Sequence, residues 1–159
     1  MKDNIEVFKR QYELVKQSRQ VLFEYCSTIS NADFLAETSS FGRGSIRNLL
    51  VHVANTYEFW IGRQGLKKNM PFTKYESREK IEDVVALFRE TDALMAEFLN
   101  FLEIRKPEEI EVEINGNKKE LTPTTLFSHV ITHEFHHKGQ ILSLSRHLGY
   151  IPVDTDMIR

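Results

Sequence analysis

Imidazole is the commonest protein ligand for transition metals, and five of this chain's six histidines fall between Thr122 and Gly149. His133 and His137 stand four residues apart. On a helix that spacing stacks one ring a turn above the other, where the two can grip a single ion. The plainer alternative is a pair of hydrogen-bonded core histidines. Each buried imidazole must find a partner or cost roughly 1–3 kcal/mol. Two such residues side by side call for a shared cause, and an ion supplies one.

The element that must carry them is a helix. Thr122 is a good N-cap, and Pro123 suits the first helical position, where a missing N–H is harmless. Leu148-Gly149, with Pro152 beyond, stops it. Leu126, Val130, His133, His137, Ile141, Leu144 and Leu148 recur at three- and four-residue steps and form its core-facing stripe. His129, one turn before His133, is a candidate to orient a ligand or line a pocket. His136 and Gln140 are further pocket candidates, His136 being equally readable as an interface histidine. His147 lies roughly 15 Å along the axis from His137, too far to share an ion. Gly139 weakens the helix by roughly 1 kcal/mol, which points to close approach of another helix or a substrate.

The rest of the chain supplies three more helices. Residues 3–29 carry Ile5, Phe8, Tyr12, Val15, Leu22 and Cys26 in one stripe. Arg19 falls in that series and is expected to snorkel outward, the alternative being entry into a polar cavity near the metal. Ser30 to Asp33 breaks the helix, and 34–44 reads as an irregular link. Ser45 caps a second helix to about Gly62, with Ile46, Leu50, Val53, Tyr57 and Trp60 inward. His52 sits on the flank of that stripe. It matters only because the pair on the last helix needs a third ligand. Residues 63–76 read as a loop long enough to shape a site entrance. A third helix is expected to open at Ser77 and run to about 103, with Ile81, Val84, Phe88, Thr91, Met95, Phe98 and Leu102 inward. Ile110 to Ile114 alternates with period two before Asn115-Gly116, a strong hairpin signal. The sum is an all-α chain: one domain, 1–159, a four-helix bundle with a long crossover and a small β-hairpin before the last helix. Phe127, Ile131, Phe135 and Leu142 give the last helix a second apolar side, which predicts a homodimer.

Composition narrows the function. A formal net charge of −2 with no basic block gives nucleic acid no electrostatic footprint. No apolar run approaches membrane-spanning length, and the first residues do not read as a signal peptide. The single cysteine, Cys26, excludes an intrachain disulfide and fits a reducing compartment, so a cytoplasmic location is expected.

Ser45-Ile-Arg-Asn-Leu-Leu-Val-His-Val-Ala54 with Tyr57 and Trp60, and His129-Val-Ile-Thr-His-Glu-Phe-His-His-Lys-Gly-Gln140, resemble the two signatures of the DinB/YfiT-like metalloenzymes. The resemblance spans essentially the whole chain. It implies a four-helix bundle and one divalent metal, held by His52 of the second helix and by His133 and His137 of the last. Lys138 stands where such proteins usually have arginine, and lysine cannot supply a bidentate fork. Members of known chemistry use low-molecular-weight thiols such as bacillithiol or mycothiol.

His133-Glu134-Phe-His-His137 also matches the zinc-protease pattern His-Glu-x-x-His. Only 22 residues follow His137, without a glutamate among them, so that pattern lacks its downstream ligand. Glu134, turned about a hundred degrees from His133, should face solvent or a partner helix. What the family resemblance implies is transfer of a bacillithiol-like thiol to a small electrophile, a metal-bound thiolate being the nucleophile. Zinc or nickel suits three imidazoles best. The alternatives are metal-hydroxide hydrolysis of a small substrate, and a non-catalytic metal or ligand-binding module of a stress response.

Overall fold

The computed structural model describes residues 2–159, with side chains from Ile5 onward. It is mostly helical. In chain order it has α1 (Lys2–Cys26), the short α2 (Asn31–Leu35), α3 (Ile46–Tyr57), a π-helical stretch (Glu58–Gly65), a 3-10 turn (Tyr75–Ser77), α4 (Ile81–Arg105), β1 (Ile110–Ile114), β2 (Asn117–Leu121) and α5 (Pro123–His147). The helix α3 packs against α4 and α5, and α1 packs against the same two.

The apolar stripes explain this arrangement. Ile5, Phe8, Tyr12, Val15, Leu22 and Cys26 are all buried, as are Val84, Phe88, Thr91, Met95, Phe98 and Leu102 of α4. Burial also raises the Cys26 thiol pKa to about 12, leaving it an inert core group. Phe127 stacks on Phe8 with ring centres 4.5 Å apart and is fully buried, so it belongs to the core rather than to an outer face. Ile131, Phe135 and Leu142 are half-buried. Thr122 caps α5 by accepting from Thr125 N at 3.2 Å, as its sequence position predicts.

Three boundaries differ from the sequence expectation. The first helix stops at Cys26 rather than at 29, and the Ser30 hydroxyl accepts from Asp33 N at 3.1 Å, starting α2 at Asn31 within the stretch expected only to break the chain. The second helix does not stop at Gly62. It runs on to Gly65 with π geometry, Leu66 N donating to Ile61 O at 2.9 Å. A Cβ at Gly65 would lie 2.8 Å from the Phe98 ring, and one at Gly62 would lie 2.5 Å from Met70 Sδ, so both positions need glycine for close packing. The third helix opens at Ile81, not Ser77, because Asp83 accepts from Glu79 N and Lys80 N at 3.0 and 3.2 Å and fixes the start there.

The hairpin pairs Ile110 with Leu121 and Ile114 with Asn117. Asn115 and Gly116 both take positive φ, 52° and 76°, as a two-residue turn of this hand requires. Val112 and Ile110 are buried, and the Gln64 amide clamps the Glu113 backbone on both sides at 2.8 and 3.1 Å. The π-helical stretch thus anchors the two strands.

The interior also holds charge. Arg19 is 2 % exposed and does not snorkel outward. Its guanidinium grips Glu134 with two parallel bonds of 2.9 Å and reaches Asp92 at 2.6 Å. Glu134, 1 % exposed, faces its partner helices and not solvent: Tyr57 donates to it at 2.7 Å, and Lys138 lies 3.2 Å away. The fork that Lys138 cannot make is therefore supplied by Arg19 from α1. Lys138 itself is buried, donating to Ser18 Oγ at 2.8 Å. Burial opposes ionisation of Glu134, but Arg19 and Lys138 outweigh it and hold the carboxyl pKa below its ordinary value. Two cations and two carboxylates balance, which is the condition under which buried charge is tolerated.

Candidate metal centre

The π-helical continuation and the Ser45 cap fix how α3 lies along α5. Ser45 accepts from Asn48 N at 3.1 Å, and the buried Asn48 donates to Arg43 O at 2.7 Å. His52 projects from the second turn of α3 toward the middle of α5. There its Nε2 lies 3.1 Å from His133 Nε2, which in turn lies 3.1 Å from His137 Nε2. The three ligand atoms all fall within 4.8 Å of one another. His52 and His133 are half-buried and His137 is 7 % exposed.

The chemistry of this donor set fits a cation. Gln140 Oε1 accepts from His137 Nδ1 at 2.7 Å, while its amide nitrogen donates to His136 at 3.2 Å. With the proton on Nδ1, His137 Nε2 presents a lone pair to the cluster. His133 Nε2 can donate to one neighbour or accept from one, so at least one of the two facing pairs of nitrogens would lack a hydrogen bond. An ion accepts all three. Nitrogens about 2.0–2.1 Å from one ion, at angles between octahedral and tetrahedral, stand about 2.9–3.4 Å apart. The 3.1 Å separations lie within that range.

The protonation states agree. Burial, then Arg43 and the other two rings, lowers the His52 pKa to about 4. Burial and His137 do the same for His133, to about 4. Burial lowers His137 as well, opposed by its bond to Gln140. Neutral imidazole is the form that ligates metal.

The DinB family model matches residues 1–159. The chain belongs to the DinB family. No curated protein matches it. In this DinB chain the three histidines could hold a metal ion between α3 and α5.

The remaining histidines lie outside the cluster. His129 is exposed and sits edge-on to Trp60 at 5.0 Å, on the wall of the cleft that leads to His52 and His133. Burial lowers its pKa below the ordinary value. His136 is exposed and tied to Gln140. His147 lies 5.9 Å from Phe41 at the far end of α5. Nothing approaches within 4 Å of a Cβ built on Gly139, so no neighbouring helix requires that glycine.

The cleft has a volume of about 400 Å³. Phe59, Trp60 and Phe72 form its apolar wall, and Asn55, Thr56 and Arg43 its polar positions. Phe72 comes from the loop after the π-helical stretch. That loop is held by Glu58, which accepts from Thr73 N at 3.0 Å and Thr73 Oγ1 at 2.6 Å. The sequence placed a site entrance in this loop but did not single out Arg43, Asn55 or Phe59. Trp60 was read as core, yet it is half-buried and faces the cleft. For Arg43 a local signal existed: it lies between two glycines immediately before the cap of the histidine-bearing α3.

Glu134, the would-be protease base, cannot serve the cluster. Both its oxygens are engaged by Arg19, Tyr57 and Lys138 in the interior.

Proposed function

We propose that this DinB protein is a metal-dependent enzyme that joins a low-molecular-weight, bacillithiol-like thiol to a small electrophile. The observation that carries the reading is the convergence of His52, His133 and His137, the first two of which line an aromatic-walled cleft. Three protein ligands leave coordination positions for a small molecule. A divalent ion, zinc or nickel, would supply a lowered thiol pKa and so a reactive thiolate. The residues do the rest. His137 is oriented by Gln140, His129 offers a neutral imidazole on the cleft wall, and Trp60 and Phe72 exclude water from the electrophile. In the reaction the thiol proton passes to the His129 imidazole and on to water, a carbon–sulfur bond forms, and the leaving group departs with its electron pair.

The same reading takes residues 1–159 as one domain, a four-helix bundle with a long crossover between α4 and α5. It places the protein in the cytoplasm, in keeping with one buried free cysteine. No helix among the described residues is long and apolar enough to cross a membrane. It also makes the protein a homodimer through the half-buried Ile131, Phe135 and Leu142.

The test is elemental analysis of untagged protein, followed by conjugation of several small thiols to a chromogenic aryl halide. Metal-loaded protein should accelerate conjugation and stripped protein should not. Equal rates with and without metal, for every thiol tried, would remove the transferase.

A further inference from the structure

The Arg43 guanidinium stands at the mouth of the cleft, its Nη2 3.5 Å from His52 Nε2. It is not there by drift of a loose loop. Arg43 takes a left-handed φ of 71°, Asn48 Nδ2 donates to its carbonyl, and the flanking turn is closed by Gly44 N to Phe41 O at 3.0 Å and Thr38 N to Gly44 O at 2.7 Å. Among the described residues no carboxylate forms an ion pair with it. A cation held by the three histidines would therefore face a second, unpaired cation. Arg43 is exposed, so water screens the pair, but the two like charges still repel and an anion joining them would relieve that repulsion. Farther along the cleft, Asn55 donates to Thr73 O at 3.1 Å while its own Oδ1 is buried without a partner.

We infer that Arg43 is a specificity residue that recognises an anionic head group of the substrate beside the histidine cluster, the substrate's apolar body lying along Trp60 and Phe72. This rests on the metal-site reading above and narrows its substrate class to small anions with an apolar or aromatic body. Arginine's planar fork suits a carboxylate in particular. The recognition is reciprocal: an anion that bridges the guanidinium and the metal site must raise affinity for the metal by the factor that the metal raises affinity for the anion.

The probe is hippurate, whose carboxylate and phenyl ring match Arg43 and the aromatic wall. Hippuramide, its neutral primary amide, is the control. Binding to the zinc-loaded full chain is followed by calorimetry and by the fluorescence of Trp60, the only tryptophan in the sequence. Hippurate should bind about tenfold more tightly than hippuramide, and Arg43→Gln should abolish that preference. Chelator competition gives a second readout without catalysis. Without hippurate, Arg43→Gln should bind zinc more tightly than wild type, and hippurate should raise the zinc affinity of wild type more than that of the variant. Equal binding of hippurate and hippuramide, or a preference that survives Arg43→Gln, would overturn the inference. Zinc content measured beforehand separates the two failures. Protein that takes no zinc sinks the metal reading and this inference with it, whereas zinc-loaded protein without the preference sinks this inference alone.

Discussion

Glu134 sits next to a candidate ligand in sequence and belongs to a different structure. Its carboxylate is enclosed by Arg19, Lys138 and Tyr57, so it supports the packing of α5 on α1 and α3. Glu134→Gln should therefore lower unfolding free energy by about 3–5 kcal/mol in urea denaturation, because it leaves two buried cations short of a counter-charge. The folded variant should keep its metal content. A variant of unchanged stability that loses metal would return Glu134 to the site. The histidines should behave in the opposite way. Alanine at His52, His133 or His137 should strongly reduce metal occupancy, measured by elemental analysis after dialysis, with the larger losses in the α5 pair. Alanine at His147 should leave occupancy intact, and alanine at His129 or His136 should change affinity only several-fold, as groups beside a ligand do. Full occupancy in His52→Ala, with loss in His129→Ala or His136→Ala, would move the site along a single helix.

At the scale of elements, the glycines separate two roles that sequence alone treats alike. Gly139 lies on the exposed side of α5 with open space beyond it. Gly139→Ala should stabilise the protein by about 1 kcal/mol, the ordinary gain of alanine over glycine in a helix. Gly65 closes the π-helical stretch against Phe98, where an added methyl has no room. Gly65→Ala should cost about 1–3 kcal/mol, as overpacking does. Thermal unfolding of the two variants should shift in opposite directions. The same stretch holds β1 through Gln64 and leads into the Phe72 loop, so strain at Gly65 should also disturb the cleft.

For the whole molecule, the open question is whether one chain suffices. Phe127 is satisfied within the core, which shortens the second apolar line of α5 to Ile131, Phe135 and Leu142. Lys138 covers part of that line from inside, its Nζ 4.0 Å from the Phe135 ring centre. If a second copy covers the remainder, light scattering of dilute protein should report a dimer, and Phe135→Glu should convert it to a monomer with metal content unchanged. A monomeric wild type would show that half-burial of these side chains is enough.

The sequence by itself determined the four long helices, the hairpin and the pairing of His133 with His137. Each is written in local periodicity: three-and-four spacing of apolar residues, Asn-Gly between alternating segments, and two imidazoles one turn apart. Caps such as Thr122 and Ser45 were legible for the same reason, since a cap binds a backbone N–H only a few residues away. Tertiary structure decided what depends on neighbours distant in the chain. His52 lies off the centre of its stripe, and only the packing of α3 on α5 turns it onto the pair. Arg19, read from its own helix, should seek water; the counter-charges that keep it inside come from α4 and α5. Within the π-helical stretch, Gly62 and Gly65 lie closely against Leu94 and Phe98 of α4, a contact no local propensity encodes. Arg43 gained its place over His52 because a loop's position is set by the helices it joins, while a charge in a loop looks the same in sequence whether it meets solvent or a metal site.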